Sequence, residues 1–83
     1  KEEKKAAQYI LGKIYYEGGY GVNRDLKKAI QLLTPLAEEE EEDKEEKKAA
    51  QYILGKIYYE VGFGKNDFGK AIEWLKKAAE KGY

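Results

Sequence analysis

Two sets of tyrosine and lysine side chains are the groups in this chain whose types and spacing suit the binding of a partner. On a helix, Tyr9 and Tyr16 lie about two turns apart with Lys13 between them. The same arrangement recurs in a second set, which consists of Tyr52, Lys56 and Tyr59. Tyrosine combines apolar area with a polar tip, and a neighbouring cation suits contact with a peptide. If the helices that carry them lie side by side on a concave surface, about 10 Å apart, these residues form a peptide-binding site. If helices pack on both sides instead, the tyrosines only border that packing.

Side chains that could catalyse a reaction are scarce. The chain has no serine, cysteine or histidine, so it lacks the nucleophiles and bases of acyl-transfer and thiol chemistry. Its one threonine, Thr34, has no imidazole to activate it and is expected to be an ordinary helix residue. We therefore predict no catalytic residue and no enzymatic activity.

Phosphate and metal sites are not indicated either. The glycine-rich stretches at residues 18–21 and 62–65 match neither GxxxxGK[ST] nor a GxGxxG that follows a strand. We interpret them as turns between helices, with Tyr20 and Phe63 packed into the core. The acidic run Glu38–Glu42 could attract calcium, but a calcium site needs roughly six to eight oxygens arranged around the ion. We predict a solvated linker there, with no metal and no cofactor.

The charge balance narrows the class of partner. Of the 83 residues, 16 are lysine or arginine and 16 are aspartate or glutamate, which gives a formal net charge of zero. No net field therefore attracts nucleic acid or an anionic membrane, and no apolar run approaches the roughly 18–20 residues that cross a bilayer. The sequence predicts a peptide or protein partner and leaves the cellular compartment open.

The chain consists of two copies of one unit. Residues 1–17 read KEEKKAAQYILGKIYYE, and residues 44–60 read the same. Beyond these blocks the similarity continues after a one-residue deletion, so that Asp25 aligns with Asp67. The spacing of 43 residues is typical of helical-repeat proteins. Natural repeats diverge, whereas these have not, and histidine, serine, cysteine and methionine are all absent. The sequence therefore indicates a designed or idealised protein.

The apolar spacing within each unit predicts two helices. In the first helix, Ala7, Leu11 and Ile14 share one face. Glycines then end it, and Asp25 is a suitable N-cap for the second helix because its carboxylate can accept hydrogen bonds from unpaired N–H groups. The second unit repeats this pattern and closes at Gly82, a suitable left-handed C-cap. The prediction is an all-α fold: a two-repeat α-solenoid of four antiparallel helices, forming a fragment of a right-handed α/α superhelix.

The acidic run predicts the boundary between the units. Neighbouring glutamates repel one another, and Asp43 with Glu46 has the form of a capping box. We therefore expect a turn there within a single domain over residues 1–83. Its parts are repeat one at 1–38, an acidic linker at 39–43 and repeat two at 44–83.

One continuous helix from Leu26 to Glu60, kinked at Pro35, is the alternative. It would hold the units apart and expose their apolar faces, which favours a swapped homodimer. Pro35 costs roughly 3 kcal/mol inside a helix. It fits either a bend in the second helix or a residue left over from a natural parent.

With these motifs in place, the chain resembles the Sel-one-like repeats, a branch of the tetratricopeptide superfamily. The resemblance covers nearly the whole chain and is closer in the second unit. It rests on Ala7-Gln8-Tyr9, Leu11-Gly12, Tyr15, Asp25 and Lys28-Ala29, then on Ala50-Gln51-Tyr52, Leu54-Gly55, Tyr58, Asp67, Lys70-Ala71-Ile72-Glu73-Trp74, Ala78-Ala79 and Gly82. The chain departs from the family pattern in the extra acidic residues between the units and in Leu32, the counterpart of Trp74.

The resemblance implies a scaffold or adaptor that binds peptides or proteins on the concave side of a right-handed superhelix. Two units offer little concave surface. Our first hypothesis is therefore a designed or idealised helical-repeat scaffold without catalytic activity. The alternative hypothesis is a protein- or peptide-binding module that uses the six tyrosine and lysine residues.

Overall fold

Four α-helices form the part of the chain that the computed structural model describes, which is residues 2–19, 21–39, 45–60 and 65–82. The helices are α1 (Glu2–Glu17), α2 (Leu26–Ala37), α3 (Glu45–Glu60) and α4 (Lys65–Glu80). Each helix packs against the next one along the chain, and α3 also touches the side of α1. Two helix pairs joined through α2 and α3 confirm the predicted all-α, two-repeat α-solenoid.

The ends of the helices in repeat one follow from local chemistry. α1 ends where Gly18 donates its N–H to the carbonyl of Ile14 at 2.7 Å and takes a φ of 76°, a left-handed conformation that costs glycine little. Asp25 caps α2, because its carboxylate accepts a hydrogen bond from the N–H of Lys28 at 3.1 Å. The predicted N-cap is confirmed, and so is the left-handed Gly82 after α4, with a φ of 84°.

Repeat two begins its last helix earlier in the unit than repeat one does. α2 starts directly after Asp25, whereas α4 already starts at Lys65 and includes Asp67 in its first turn. The deletion next to Asp67 shortens the connection ahead of α4. Asp67 therefore lies inside its helix, whereas the aligned Asp25 precedes its helix.

The chain leaves the helix at the end of α2. The N–H of Glu38 still bonds to the carbonyl of Thr34 at 3.1 Å, and that of Glu39 bonds to Leu36 at 3.3 Å in a tighter turn. Because α2 ends at Ala37 and α3 packs back against it, the continuous helix from residue 26 to residue 60 is wrong. The predicted turn at 39–43 and its capping box lie, apart from Glu39, outside the described residues. So do the predicted core positions of Tyr20 and Phe63.

Pro35 lies in the last turn of α2, on its exposed side. A proline there lacks the N–H that would bond to the carbonyl of Gln31, but the helix ends two residues later. The hydroxyl of the preceding residue, Thr34, donates to the carbonyl of Ile30, one turn back along the helix, at 2.7 Å. Thr34 is therefore the helix residue that the sequence predicts.

The core lies between α2 and α3, and the outer helices complete it. Leu33, Leu54 and Ile57 are fully buried, and the indole of Trp74 covers them from α4. α1 and α2 approach closely at Gly12, where a Cβ would lie 2.7 Å from the side chain of Leu33. The same contact recurs one repeat later between α3 and α4.

α1 and α3 have the same sequence but different surroundings. Both read EEKKAAQYILGKIYYE. However, α3 packs between α2 and α4, whereas α1 packs against α2 and otherwise touches only the side of α3. Leu54 is fully buried and Ile53 is 6% exposed, while the aligned Leu11 and Ile10 are 47% and 53% exposed. Position in the solenoid, not sequence, therefore sets the burial of these side chains.

Candidate functional site

The structure separates the six predicted binding residues. Tyr16 is buried, Tyr59 is 65% exposed, and Tyr52 is exposed to a lesser degree. Lys13 is exposed, whereas Tyr9 and Lys56 are half-buried. Tyr16, Lys56 and Tyr52 lie together: the Lys56 ammonium is 5.4 Å from the ring centroid of Tyr16 and 5.2 Å from that of Tyr52.

Tyr16 belongs to a polar cluster that joins the two repeats. Its hydroxyl donates to Oε2 of Glu60 at 2.7 Å. Arg24 donates from Nε to the carbonyl of Tyr16 at 2.8 Å, pairs with the Glu60 carboxylate and lies 5.5 Å from the Tyr16 ring centroid. We call Tyr16, Arg24, Lys56 and Glu60 the Tyr16 cluster. Since Tyr16 is buried in this junction, its ring contributes to packing and not to an open binding row.

The pKa values of the cluster reflect these contacts. Burial, together with the bond to Glu60, raises the pKa of Tyr16 above 10.0. The hydrogen bond from Tyr16, followed by that from Arg24, lowers the pKa of Glu60 below 4.5. Interaction with Tyr16 raises the pKa of Lys56 above 10.5. At neutral pH Tyr16 is therefore a neutral phenol, Glu60 a carboxylate and Lys56 a cation.

Acidification is expected to weaken this junction. The folded-state pKa of Glu60 is lowered from 4.5, so its stabilisation is complete above the unfolded pKa and is lost as the pH falls through the lowered value. Tyr16→Phe removes the hydroxyl donor, so its free energy of unfolding should fall less steeply over the acidic range. Denaturant unfolding at stepped pH measures this slope. Tyr59→Phe, the aligned tyrosine, is the control and should match the unsubstituted chain. Equal slopes for Tyr16→Phe and the unsubstituted chain would contradict the assignment.

The two ends of the solenoid expose apolar side chains. The head face, on α1, consists of Ala7, Ile10, Leu11 and Ile14. The tail face, on α4, consists of Phe68, Ile72, Leu75 and Ala79. Ile72 is 60% exposed, whereas its counterpart Ile30 packs against the core. Both faces have helical spacing.

Shallow grooves flank the head face on either side. One, of about 280 Å³, is lined by Tyr9, Ile10, Lys13, Ile14 and Glu17. The other, of about 290 Å³, lies between α1 and α2 and is lined by Leu11, Tyr15, Lys28, Gln31 and Leu32. The predicted residues Tyr9 and Lys13 thus border the head face. Tyr9 also borders a smaller cavity, of about 170 Å³, against the start of α3.

A larger cleft, of about 360 Å³, lies where the C-terminal ends of α2 and α4 meet the start of α3. The buried side chain of Gln51 donates from Nε2 to the carbonyl of Ala37 at 3.1 Å, and its Oε1 has no partner among the described residues. Lys77 lies over the ring of Trp74, 4.7 Å from its centroid, at the edge of the cleft. The free acceptor of Gln51 allows this cleft to accommodate a hydrogen-bond donor.

The sequence carried weak signals for the features that it did not predict. Ile10 completes the i, i+3, i+4, i+7 spacing of Ala7, Leu11 and Ile14, so these four residues form one apolar face of the helix. Arg24 has no counterpart in repeat two because the deletion removes that position. Neither feature indicates which residues come into contact, because the contacts join distant parts of the sequence. Tyr16 and Glu60, for example, are 44 positions apart.

Metal and membrane features are absent from the described part of the chain. Residues 2–19, 21–39, 45–60 and 65–82 contain no group of three or more metal-ligating side chains. None of their helices is both long and apolar enough to span a bilayer.

Comparison with known proteins gives one match. The sequence model of the Sel1 repeat family matches residues 5–40 and 48–83. Each matched stretch covers one helix pair apart from the start of its first helix. No curated protein and no solved structure matches the chain.

Proposed function

We propose that this chain, which belongs to the Sel1 repeat family, is a non-catalytic scaffold that binds helical partners at its two end faces. The helical repeats of the family usually act in protein interaction and are generally not catalytic. Its head face presents an apolar stripe on α1, and its tail face presents one on α4. Apolar stripes of this kind bury their area against another helix.

The contrast between α1 and α3 carries this proposal. In α3 the residues aligned with the head face are buried, with Leu54 fully and Ile53 almost fully covered. Part of that cover comes from α2, the second helix of the preceding repeat. The head face therefore has the side chains that accept such a helix, and no helix of the described residues covers it.

A three-repeat chain tests the proposal. This chain has a second copy of residues 1–43 placed ahead of Lys1. Because residues 1–17 and 44–60 are identical, the new junction has the same sequence as residues 1–60. The free energy of unfolding should rise, since each added interface stabilises a repeat protein. Leu11→Ala in the copy of α1 that lies at the new junction should lower the free energy of unfolding by about 2–5 kcal/mol, compared with about 1 kcal/mol in the two-repeat chain.

The control is the same three-repeat chain with Ile10→Glu at the new junction. A carboxylate in that apolar contact should remove most of the gain in stability. If the three-repeat chain unfolds at the same denaturant concentration as the two-repeat chain, the head face does not bind helices and the proposal fails.

The proposal includes an idealised origin for the sequence. It is supported by the identical blocks at residues 1–17 and 44–60 and by the absence of four residue types. Discovery of the same chain inside a natural reading frame with diverged repeats beside it would contradict this part.

A peptide-binding module is the second candidate. It is favoured by the Lys56 ammonium, which lies over the rings of both Tyr16 and Tyr52, and by the exposure of Tyr52 and Tyr59 on the same helix. Peptides selected from a displayed library should lose affinity for Tyr52→Ala while its thermal unfolding is unchanged. Selected peptides that bind Tyr52→Ala equally well would exclude this surface.

A further inference from the structure

The junction between α2 and α3 shows how a second helix pair packs on this sequence. On the α3 side, Ile53 and Leu54 are buried in the common core. On the α2 side, Ala37 is buried and its carbonyl accepts the hydrogen bond from Gln51. This junction is the established contact between repeat one and repeat two.

Both halves of this junction recur on the outer helices, α1 and α4, where no other described helix covers them. The head face of α1 has the same sequence as the half contributed by α3. The tail face of α4 is aligned with the half contributed by α2: Ile72 corresponds to Ile30, and Ala79 to Ala37. Ile30 packs on the core and Ala37 is buried, whereas Ile72 and Ala79 are exposed. The molecule thus has two complementary faces at opposite ends.

We propose that the chain associates head to tail with a second copy of itself, so that the tail face of one copy packs on the head face of the next. This inference rests on the proposed function and names the partner of the same two faces. The contact continues an interface that the chain already forms within itself. The head-face residues are identical to those of α3, and the tail-face residues are identical to their counterparts in α2 except that Phe68 replaces Leu26.

Polar groups at the ends extend the same correspondence. In the proposed contact, Tyr59 of one copy takes the position that Tyr16 has within the chain. Lys13 and Glu17 of the next copy take the positions of Lys56 and Glu60. Tyr59 is 65% exposed beside Phe68 of the tail face, with the two ring centroids 6.3 Å apart. Lys13 and Glu17 are exposed beside the head face. The hydroxyl of Tyr59 is therefore placed to donate to Glu17 of the next copy.

The symmetry of the contact decides the form of the assembly. The two faces differ, so the contact is heterologous and does not close at a dimer. Within the chain, the linker holds the two halves of the junction at an effective concentration in the millimolar range, on the order of 1 mM. Separate copies lack this linker, and the junction of two copies also lacks a counterpart of Arg24. Association is therefore expected only at high protein concentration.

The first experiment is sedimentation velocity of the full chain over a concentration series. The average mass should start at the monomer value of 9.5 kDa and rise without a plateau as the concentration approaches about 1 mM. A constant monomer mass up to that concentration overturns the inference. A plateau at a dimer also overturns it, because an isologous contact between like faces gives that result.

The second experiment blocks one face at a time. Ile10→Glu places a carboxylate on the head face, and Ile72→Glu places one on the tail face. Each variant alone should remain monomeric. Mixed in equal amounts, they should form a 1:1 complex of twice the 9.5 kDa monomer mass, because each variant retains the face that the other lacks. No complex in the mixture, or a dimer of either variant alone, overturns the head-to-tail arrangement.

Matched variants keep the experiment interpretable. Asn23→Glu adds the same charge at an exposed loop position outside both faces and should associate like the unsubstituted chain. Should either isoleucine variant lose its far-UV circular dichroism, Ala7→Glu and Ala79→Glu alter the same faces at exposed alanines. If the two-repeat chain stays monomeric while the three-repeat chain is stabilised, self-association alone is overturned. A three-repeat chain without added stability would overturn the proposed function as well.

Discussion

Leu54→Ala is expected to lower the free energy of unfolding by about 2–5 kcal/mol, whereas Leu11→Ala should lower it by about 1 kcal/mol or less. The two leucines occupy the same position in identical helices. Leu54 is fully buried and Leu11 is 47% exposed. Removing three carbons from Leu54 leaves a cavity in the core, while water already reaches Leu11.

Denaturant unfolding at low protein concentration measures both values, because dilution keeps the head face uncovered. A domain of this size has a stability of only about 5–15 kcal/mol, so Leu54→Ala could leave a large unfolded fraction. The comparison remains informative in that event, since Leu11→Ala should still fold. Equal losses in the two variants would mean that the identical helices have similar surroundings in solution, contrary to this structure.

Gly55→Ala is expected to destabilise the fold by about 1–2 kcal/mol, although alanine is the better helix former by about 1 kcal/mol. A Cβ at Gly55 would lie 2.5 Å from Cγ of Leu75 and 3.2 Å from its backbone nitrogen. Rotation of the leucine relieves the first contact but not the second, so α3 and α4 must move apart. Gly12→Ala should cost less, because the closest atoms there belong to the side chain of Leu33.

Gly69→Ala is the matched control for this prediction. Gly69 is an exposed helical glycine of α4, and no atom of a neighbouring element lies within 4 Å of the position that a Cβ would take. Alanine there should stabilise the fold by about 0.5–1 kcal/mol through helix propensity and reduced freedom of the unfolded chain. Thermal and denaturant unfolding of the three alanine variants should therefore rank Gly69→Ala above Gly12→Ala and Gly12→Ala above Gly55→Ala. If Gly55→Ala stabilised the fold as Gly69→Ala does, the helices would not be in close contact at that position.

Local sequence features predicted the helices well. The spacing of Ala7, Leu11 and Ile14 follows one face of a helix, and the glycines and Asp25 determine where α1 ends and α2 begins. These features act within a few residues of each other, so they hold whatever else the chain contacts. The alternative of one continuous helix was wrong, because α2 ends at Ala37 and α3 packs back against α2.

The predicted binding row shows where local reasoning stops. Tyr16 and Tyr59 are equivalent in sequence, and the pattern assigned them one role. In the structure Tyr16 is buried against Glu60 and Arg24, while Tyr59 is largely exposed. The partner of Tyr16 lies in the other repeat, so spacing along one helix cannot indicate it. The peptide-binding role of the six residues stays a prediction.

The sequence by itself determined the helical repeat, the caps of repeat one and the family, because each depends on residue types at short, regular spacing. Only the tertiary structure decided which copy of a shared side chain is buried. Leu11 and Leu54 have the same neighbours along the chain, so no local property can distinguish them. Their difference arises because α3 packs between α2 and α4, whereas α1 packs against α2 and otherwise touches only the side of α3. That difference leaves the head and tail faces exposed, and with them the surfaces at which this chain is proposed to bind.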